Sequence, residues 1–267
     1  MRQHEPAIGV FDSGVGGLTV LRAVVDLLPG EHTVYLGDTA RLPYGSKSAA
    51  VVTRYALNVV ELLTRSPLKA LVVACNTASA VALPALHERF GLPTLGVIAP
   101  GARAALDGSH PAQRVAVLAT EGTIRSGAYD RALHEIRAEV EVRDQACPLF
   151  VPLAEEGLCE GPIVELVCQR YLDSLRGQVD TAILGCTHYP LLKQTIAHSL
   201  GPEVRVVDSA HATALELRTL LDDRGLRREG GDGTTHRFLF TDQNPRTDEM
   251  CARFFGQKVD AIEVVDL

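Results

Sequence analysis

The chain has 267 residues, 46% of them apolar, with a net charge of −7 at pH 7 and an isoelectric point near 5.7. This length can bury one large core or two smaller ones, and the negative charge argues against nucleic-acid binding, which needs clustered Lys and Arg. No apolar run is long enough to span a bilayer and the first residues lack a signal-peptide core, so we expect a soluble cytoplasmic protein with no membrane partner.

Short apolar runs rich in β-branched residues alternate with segments of helical periodicity. The predicted strands are residues 8–11, 33–36, 71–74, 94–98, 115–118, 140–143, 181–184 and 204–207. The clearest predicted helices are 18–28 and 48–63. This alternation predicts an α/β fold with mainly parallel sheets.

The second half of the chain repeats the plan of the first. The segments starting at Ile8, Ala74 and Val97 align with segments that start 107, 111 and 109 residues later. These near-equal separations predict two similar, pseudo-symmetric α/β domains with an active site in the cleft between them. We place the first domain at 1–98 plus 208–267 and the second at 99–207.

The C-terminal tail is too short for a third domain, so we assign it to the first. It holds a polar, glycine-rich stretch at 227–233, which predicts a surface loop. A strand at 236–241, a helix at 247–255 and a strand at 261–265 are predicted to follow.

Two cysteines occupy equivalent places in the two halves. Cys75 follows the apolar run 70–74 and Cys186 follows the run 181–185, so each thiol is expected at the carboxyl end of a buried strand. A lone cysteine there is usually a small core residue, but the recurrence favours a functional pair. The other four cysteines do not recur and form no CxxC pair, so we interpret them as reduced packing residues, and we expect no disulfide or metal site.

The residues around the thiols suit acid–base chemistry. Asn76 and Thr77, and likewise Thr187 and His188, follow the two cysteines, where His188 could exchange a proton with Cys186. A helix beginning after each thiol would favour the thiolate.

Other loops point at the same cleft. Asp12 and Ser13 end the first strand and open a glycine-rich turn, but this turn fails the GxGxxG dinucleotide fingerprint because Thr19 replaces the third glycine. Pro43, Tyr44 and Gly45 form a structured turn that could cover a small ligand, and Thr120 stands in the counterpart of the Asp12 loop. Glu155 and Glu156 are most simply a solvated helix start.

Two opposed thiols can remove a proton from one face of a carbon and return one to the other face. The weakly acidic α-proton of an amino acid requires a well-positioned, desolvated base and donors for the carboxylate. The pattern therefore favours racemisation without a cofactor, and the four lysines stand in no recognisable Schiff-base setting, which weakens a pyridoxal enzyme.

With these motifs, the chain resembles the glutamate racemases. The matching segments are 11–17, 35–41 with 43–45, 74–79, 96–98 with 100–102, 147–153 and 184–190. The resemblance implies cofactor-free interconversion of L- and D-glutamate, which supplies D-glutamate for peptidoglycan, cell-wall biogenesis and cell shape.

The resemblance also implies roles for individual residues. Cys75 would deprotonate D-glutamate and Cys186 would deprotonate L-glutamate, with Asp12 and His188 assisting the proton transfers. The implied substrate-binding residues are Asp12, Ser13, Pro43, Tyr44, Gly45, Asn76, Thr77, Thr120, Thr187 and His188. No metal is implied, and a homodimer is left open.

Three other functions stay open from the sequence. One is a racemase of aspartate or another small acid in the same superfamily, because the length of the pocket is not readable. Another is a noncatalytic dicarboxylate-binding protein, although both thiols are present. A thiol hydrolase or decarboxylase would need one thiol instead of two.

Overall fold

A computed structural model describes residues 5–107, 113–228, 230, 233–259 and 261–267. Two parallel sheets hold ten strands in this part of the chain. The strands are β1 (Ala7–Asp12), β2 (Thr33–Gly37), β3 (Leu68–Val73), β4 (Thr94–Gly96), β5 (Arg114–Ala119), β6 (Glu141–Ala146), β7 (Thr181–Gly185), β8 (Arg205–Asp208), β9 (His236–Phe240) and β10 (Ile262–Val264). This confirms the predicted α/β fold class.

Twelve α-helices lie among the described residues. They are α1 (Leu18–Leu27), α2 (Ala49–Leu63), α3 (Asn76–Val81), α4 (Leu83–Phe90), α5 (Ile98–Leu106), α6 (Glu121–Ser126), α7 (Ala128–Ile136), α8 (Phe150–Glu156), α9 (Pro162–Leu172), α10 (Lys193–Leu200), α11 (Ala210–Asp223) and α12 (Thr247–Phe255). Short 3₁₀ turns connect some of them, including Thr39–Arg41, Tyr44–Ser46 and Tyr189–Leu192.

The two sheets share one strand order. The first runs β10-β9-β2-β1-β3-β4 and the second β6-β5-β7-β8, so the order β2-β1-β3-β4 recurs as β6-β5-β7-β8. In both, the central strands are buried on both faces, as parallel sheets covered by helices require. The internal repeat of the sequence is thus a repeat of topology.

The tail completes the first sheet. Strand β9 pairs with β2 from Thr33↔His236 to Gly37↔Phe240, and β10 pairs with β9. Helix α11, which follows β8, packs against α1. The segment after β8 thus packs with the first half, and the division at residue 208 stays a prediction. Residues 229, 231 and 232 of the predicted surface loop lie outside the described residues.

Several predicted boundaries differ from the structure. The run 94–98 is a strand only to Gly96, because Ile98 begins α5 and packs its apolar side chain in a core under the second sheet. Residues 99–101, at the predicted boundary between the domains, lie inside that helix, which leads from β4 of the first sheet to β5 of the second. The strand expected at 140–143 runs instead from Glu141 to Ala146, since its polar residues were not recognisable as strand.

Candidate active site

One cavity of about 280 Å³ lies at the carboxyl ends of β1, β3, β5 and β7, between the two sheets. This is where open α/β sheets bind ligands, and the volume suits a small molecule. Eleven of the twelve residues singled out from the sequence line it: Ser13, Pro43, Tyr44, Gly45, Cys75, Asn76, Thr77, Thr120, Cys186, Thr187 and His188. Asp12 is the exception.

Asp12 lies beneath the cavity and does not line it. Its carboxylate is fully buried, and it accepts hydrogen bonds from the Gly14 N–H at 2.9 Å and from the Thr187 hydroxyl at 3.4 Å. Burial raises the pKa of this carboxyl, while the facing His188 and the backbone N–H groups of Gly14 and Gly17 oppose the increase. Asp12 therefore contacts both halves of the molecule and influences the site electrostatically.

Cys75 caps the N-terminus of α3. Its sulfur accepts a hydrogen bond from the Ala78 N–H at 3.5 Å and lies 3.7 Å from the Ser13 hydroxyl. Burial raises the pKa of this thiol to about 12, and the negative charge of Asp12 adds to that increase, so both outweigh the helix N-terminus. Cys75 is therefore a protonated thiol at neutral pH.

Cys186 has a different neighbour. No α-helix begins directly after it; residues 187–188 lead into a 3₁₀ turn, so the predicted stabilisation by a helix N-terminus does not apply here. Instead, His188 Nδ1 lies 3.9 Å from the Cys186 sulfur, and His188 Nε2 lies 3.1 Å from Glu155 Oε1.

Two neighbours favour the charged form of the His188 ring. Burial lowers the pKa of its ring, but the contacts with Cys186 and Glu155 outweigh burial and raise that pKa to about 10. His188 is therefore placed to exchange a proton with the Cys186 sulfur.

Glu155 is the residue that sequence reasoning missed. We interpreted Glu155 and Glu156 as a solvated helix start, which is wrong: they form the last turn of α8, which ends before Gly157 at φ 74°. Proline at 148 and 152 and glycine at 157 are signals for the start and end of a short helix. Only the tertiary fold brings the Glu155 side chain to His188.

Hydroxyl groups join the two halves across the cavity. Thr77 Oγ1 lies 3.0 Å from Thr120 Oγ1 and 3.1 Å from Thr123 Oγ1, and the last two are 3.1 Å apart. Behind them, the Tyr129 hydroxyl donates to Asn76 Oδ1 at 2.7 Å. These groups can donate hydrogen bonds to a carboxylate without any Lys or Arg.

The turn that carries Tyr44 and Gly45 is held in place by hydrogen bonds to the buried carboxylate of Asp38. The Tyr44 hydroxyl donates to Asp38 Oδ2 at 2.5 Å, and Arg41 and Thr241 also bind the buried Asp38 carboxylate. A Cβ at Gly45 would lie 2.7 Å from Thr120 Cβ, so glycine allows this turn to approach the second half.

No group of three or more His, Cys, Asp or Glu side chains suited to a metal ion occurs in the described part of the chain. Among the same residues, no helix combines the length and the apolar character that crossing a membrane requires.

A sequence model of the Asp/Glu/Hydantoin racemase family matches residues 8–217, more than half of the chain. The chain belongs to this family. A glutamate racemase of Geobacter metallireducens is 49% identical over 98% of this chain and 97% of its own length. The crystal structure of a Bacillus anthracis glutamate racemase has a TM-score of 0.93 at 41% identity, covering 100% of this chain and 99% of that one.

A second solved racemase structure carries a ligand. Glutamate racemase of Francisella tularensis, in complex with D-glutamate, has a TM-score of 0.91 at 36% identity and covers 98% of each chain. These relatives confirm the resemblance to the glutamate racemases and show that the chain is an amino-acid racemase.

Proposed function

We propose that this racemase interconverts L- and D-glutamate by a two-base mechanism that uses the thiols of Cys75 and Cys186. The observation that carries the proposal is that two buried thiols, one from each half, line one small cavity. Each stands at the end of an equivalent strand, β3 or β7, and each has its own polar partner.

The electrostatics favour one resting state. Cys75 holds its proton because burial and Asp12 disfavour its thiolate, whereas Cys186 has His188, a group that can accept its proton, 3.9 Å away. The free enzyme would then be ready for L-glutamate, whose α-proton moves to the Cys186 sulfur before the Cys75 thiol protonates the opposite face. The product is D-glutamate, and the protonation states of the two thiols are exchanged.

The reverse reaction starts from the exchanged state. Cys75 as thiolate takes the α-proton of D-glutamate, and Cys186 protonates the other face. The two thiols account for both protons in either direction. Without a cofactor, the electron pair left at Cα is delocalised into the substrate carboxylate. The negative charge that develops on the substrate carboxylate must instead be stabilised by fixed donors.

The lining residues can supply those donors. We assign the substrate carboxylates to the hydroxyls of Ser13, Thr77 and Thr120, the amide of Asn76 and the backbone N–H groups of Tyr44 and Gly45. Asp12 accepts a hydrogen bond from the Thr187 hydroxyl and would hold that side chain in place as a positioning residue. With these groups the site needs no basic side chain other than His188.

Glutamate is favoured over aspartate because the relatives that match over nearly the whole chain are glutamate racemases. D-glutamate is a building block of bacterial peptidoglycan, so we propose a role in cell-wall synthesis in the cytoplasm. A homodimer stays a prediction.

Solvent exchange tests the proposal. Incubation with L-glutamate or D-glutamate in D₂O should produce the opposite enantiomer carrying one deuterium at Cα, because the proton delivered comes from a thiol in exchange with solvent. Circular dichroism measures the formation of the opposite enantiomer, and proton NMR measures the loss of the Cα proton signal. L-aspartate serves as the alternative substrate. No exchange with any of these acids would overturn the proposed substrate and mechanism, and exchange with aspartate alone would show that the substrate is aspartate.

A further inference from the structure

The C-terminal helix α12 touches both halves of the molecule near the cavity. It packs against α1 in the first half, and two arginines at its ends reach the last turn of α8 in the second half. No residue of α12 lines the cavity, so its contribution to the reaction has to be indirect.

The arginines bind the end of α8 through its backbone. Arg253 Nη1 donates to the Glu155 carbonyl at 2.7 Å and to the Ala154 carbonyl at 3.4 Å, and Arg246 Nη2 donates to the Glu155 carbonyl at 3.2 Å. The last carbonyls of a helix have no partner within it and carry partial negative charge, which cations stabilise. A Cβ at Gly157 would lie 2.8 Å from Arg253 Nη2, so glycine leaves room for the guanidinium.

Helix α12 also contacts His188. Phe254 packs edge-on against the His188 ring, with 4.9 Å between ring centroids. Helix α12 thus contacts the backbone of Glu155 through Arg253 and the ring of His188 through Phe254. Glu155 and His188 are the two groups that lead to the Cys186 sulfur.

We propose that Arg253, assisted by Arg246, is a positioning residue for the Cys186 half of the reaction. By fixing the Glu155 backbone, it holds the Glu155 carboxylate on His188 and His188 beside Cys186. The inference rests on the proposed function of the two thiols. It predicts that weakening this contact slows proton transfer at Cys186 and leaves proton transfer at Cys75 intact.

The rate constants alone cannot show such a one-sided effect. L- and D-glutamate have equal free energies in water, so kcat/KM must be equal in the two directions for every variant. Primary isotope effects separate the two thiols. If transfer at Cys186 becomes limiting, the isotope effect on kcat/KM rises for α-deuterated L-glutamate and falls for α-deuterated D-glutamate.

The test compares Arg253→Met with the parent enzyme. Removing groups that orient a functional side chain typically lowers activity by about 10-fold or more, so we expect kcat/KM to fall ~10-fold in both directions with oppositely shifted isotope effects. Arg253→Lys keeps one donor and should recover part of the loss. Glu249→Gln is the matched control, because it removes the exposed ion-pair partner of Arg253 at 2.7 Å and leaves the carbonyl contacts.

A second pair of variants tests the inference in case Arg253→Met does not fold. Arg246 is half-exposed, so Arg246→Met is expected to fold and to shift the isotope effects the same way. Glu156→Gln is the control for Arg246→Met, because it removes only the ion pair between Glu156 and Arg246. Unchanged isotope effects in the folded arginine variants, or equal changes in both directions, would overturn this inference alone. A parent enzyme without α-exchange would overturn the proposed function as well.

Discussion

The two thiols share a position in the fold but differ in their surroundings. Cys75 lies above the buried carboxyl of Asp12 and beside the hydroxyl of Ser13, whereas Cys186 faces His188, whose other ring nitrogen contacts Glu155. In the proposed mechanism this difference assigns the proton of the free enzyme to Cys75. The site is thus symmetric in backbone position and asymmetric in electrostatics.

Alkylation of the free enzyme tests this asymmetry. Iodoacetamide reacts with thiolates, so Cys186 should be labelled before Cys75 at pH 7, and His188→Asn should slow its labelling. The pKa of the Cys75 thiol is raised to about 12, so its thiolate fraction and labelling rate should rise roughly tenfold per pH unit between pH 7 and 10. Mass spectrometry of the two peptides measures both rates. Faster labelling of Cys75 at pH 7 would contradict the assignment.

At the scale of elements, the site residues found from the sequence stand at the end of a parallel strand or in the segment after it. The sequence showed this for β1, β3, β5 and β7 because their apolar runs end in polar or glycine residues. It did not show Glu155, because a glutamate in the last turn of a short helix looks like any solvated residue. Its role depends on α8 meeting the segment after β7, which no local pattern encodes.

The glycine turn after β1 lies very close to the segment that follows β7. A Cβ at Gly16 would lie 2.4 Å from Thr187 Oγ1 and 2.5 Å from His188 Nδ1. Gly16→Ala should therefore displace His188 and lower kcat/KM by about 10-fold or more, as other losses of positioning do. Gly9→Ala is the control, since the Cβ of residue 9 meets the flexible ends of Leu68 at 2.9 Å and Leu71 at 3.4 Å, away from the cavity. Steady-state racemisation checks both, and full activity of Gly16→Ala would contradict the proposed role of His188.

At the scale of the whole molecule, the duplication creates the site. Near-equal separations between matching segments predicted two similar halves, and the recurring strand order bears out this similarity. The position of α12 was not predictable: its amphipathic pattern indicated a helix at 247–255, but not that Arg253 would reach across to α8. Contacts between elements distant in sequence depend on packing that a single sequence does not display.

The central claim is that one turnover uses a thiol from each half. The most direct measurement is racemisation by Cys75→Ala and Cys186→Ala, each followed by circular dichroism from L-glutamate and from D-glutamate. The account predicts that each single variant loses turnover in both directions while keeping the fold of the parent, because every turnover needs one thiol to accept a proton and the other to donate one. Racemisation at the parent rate by either variant would contradict it.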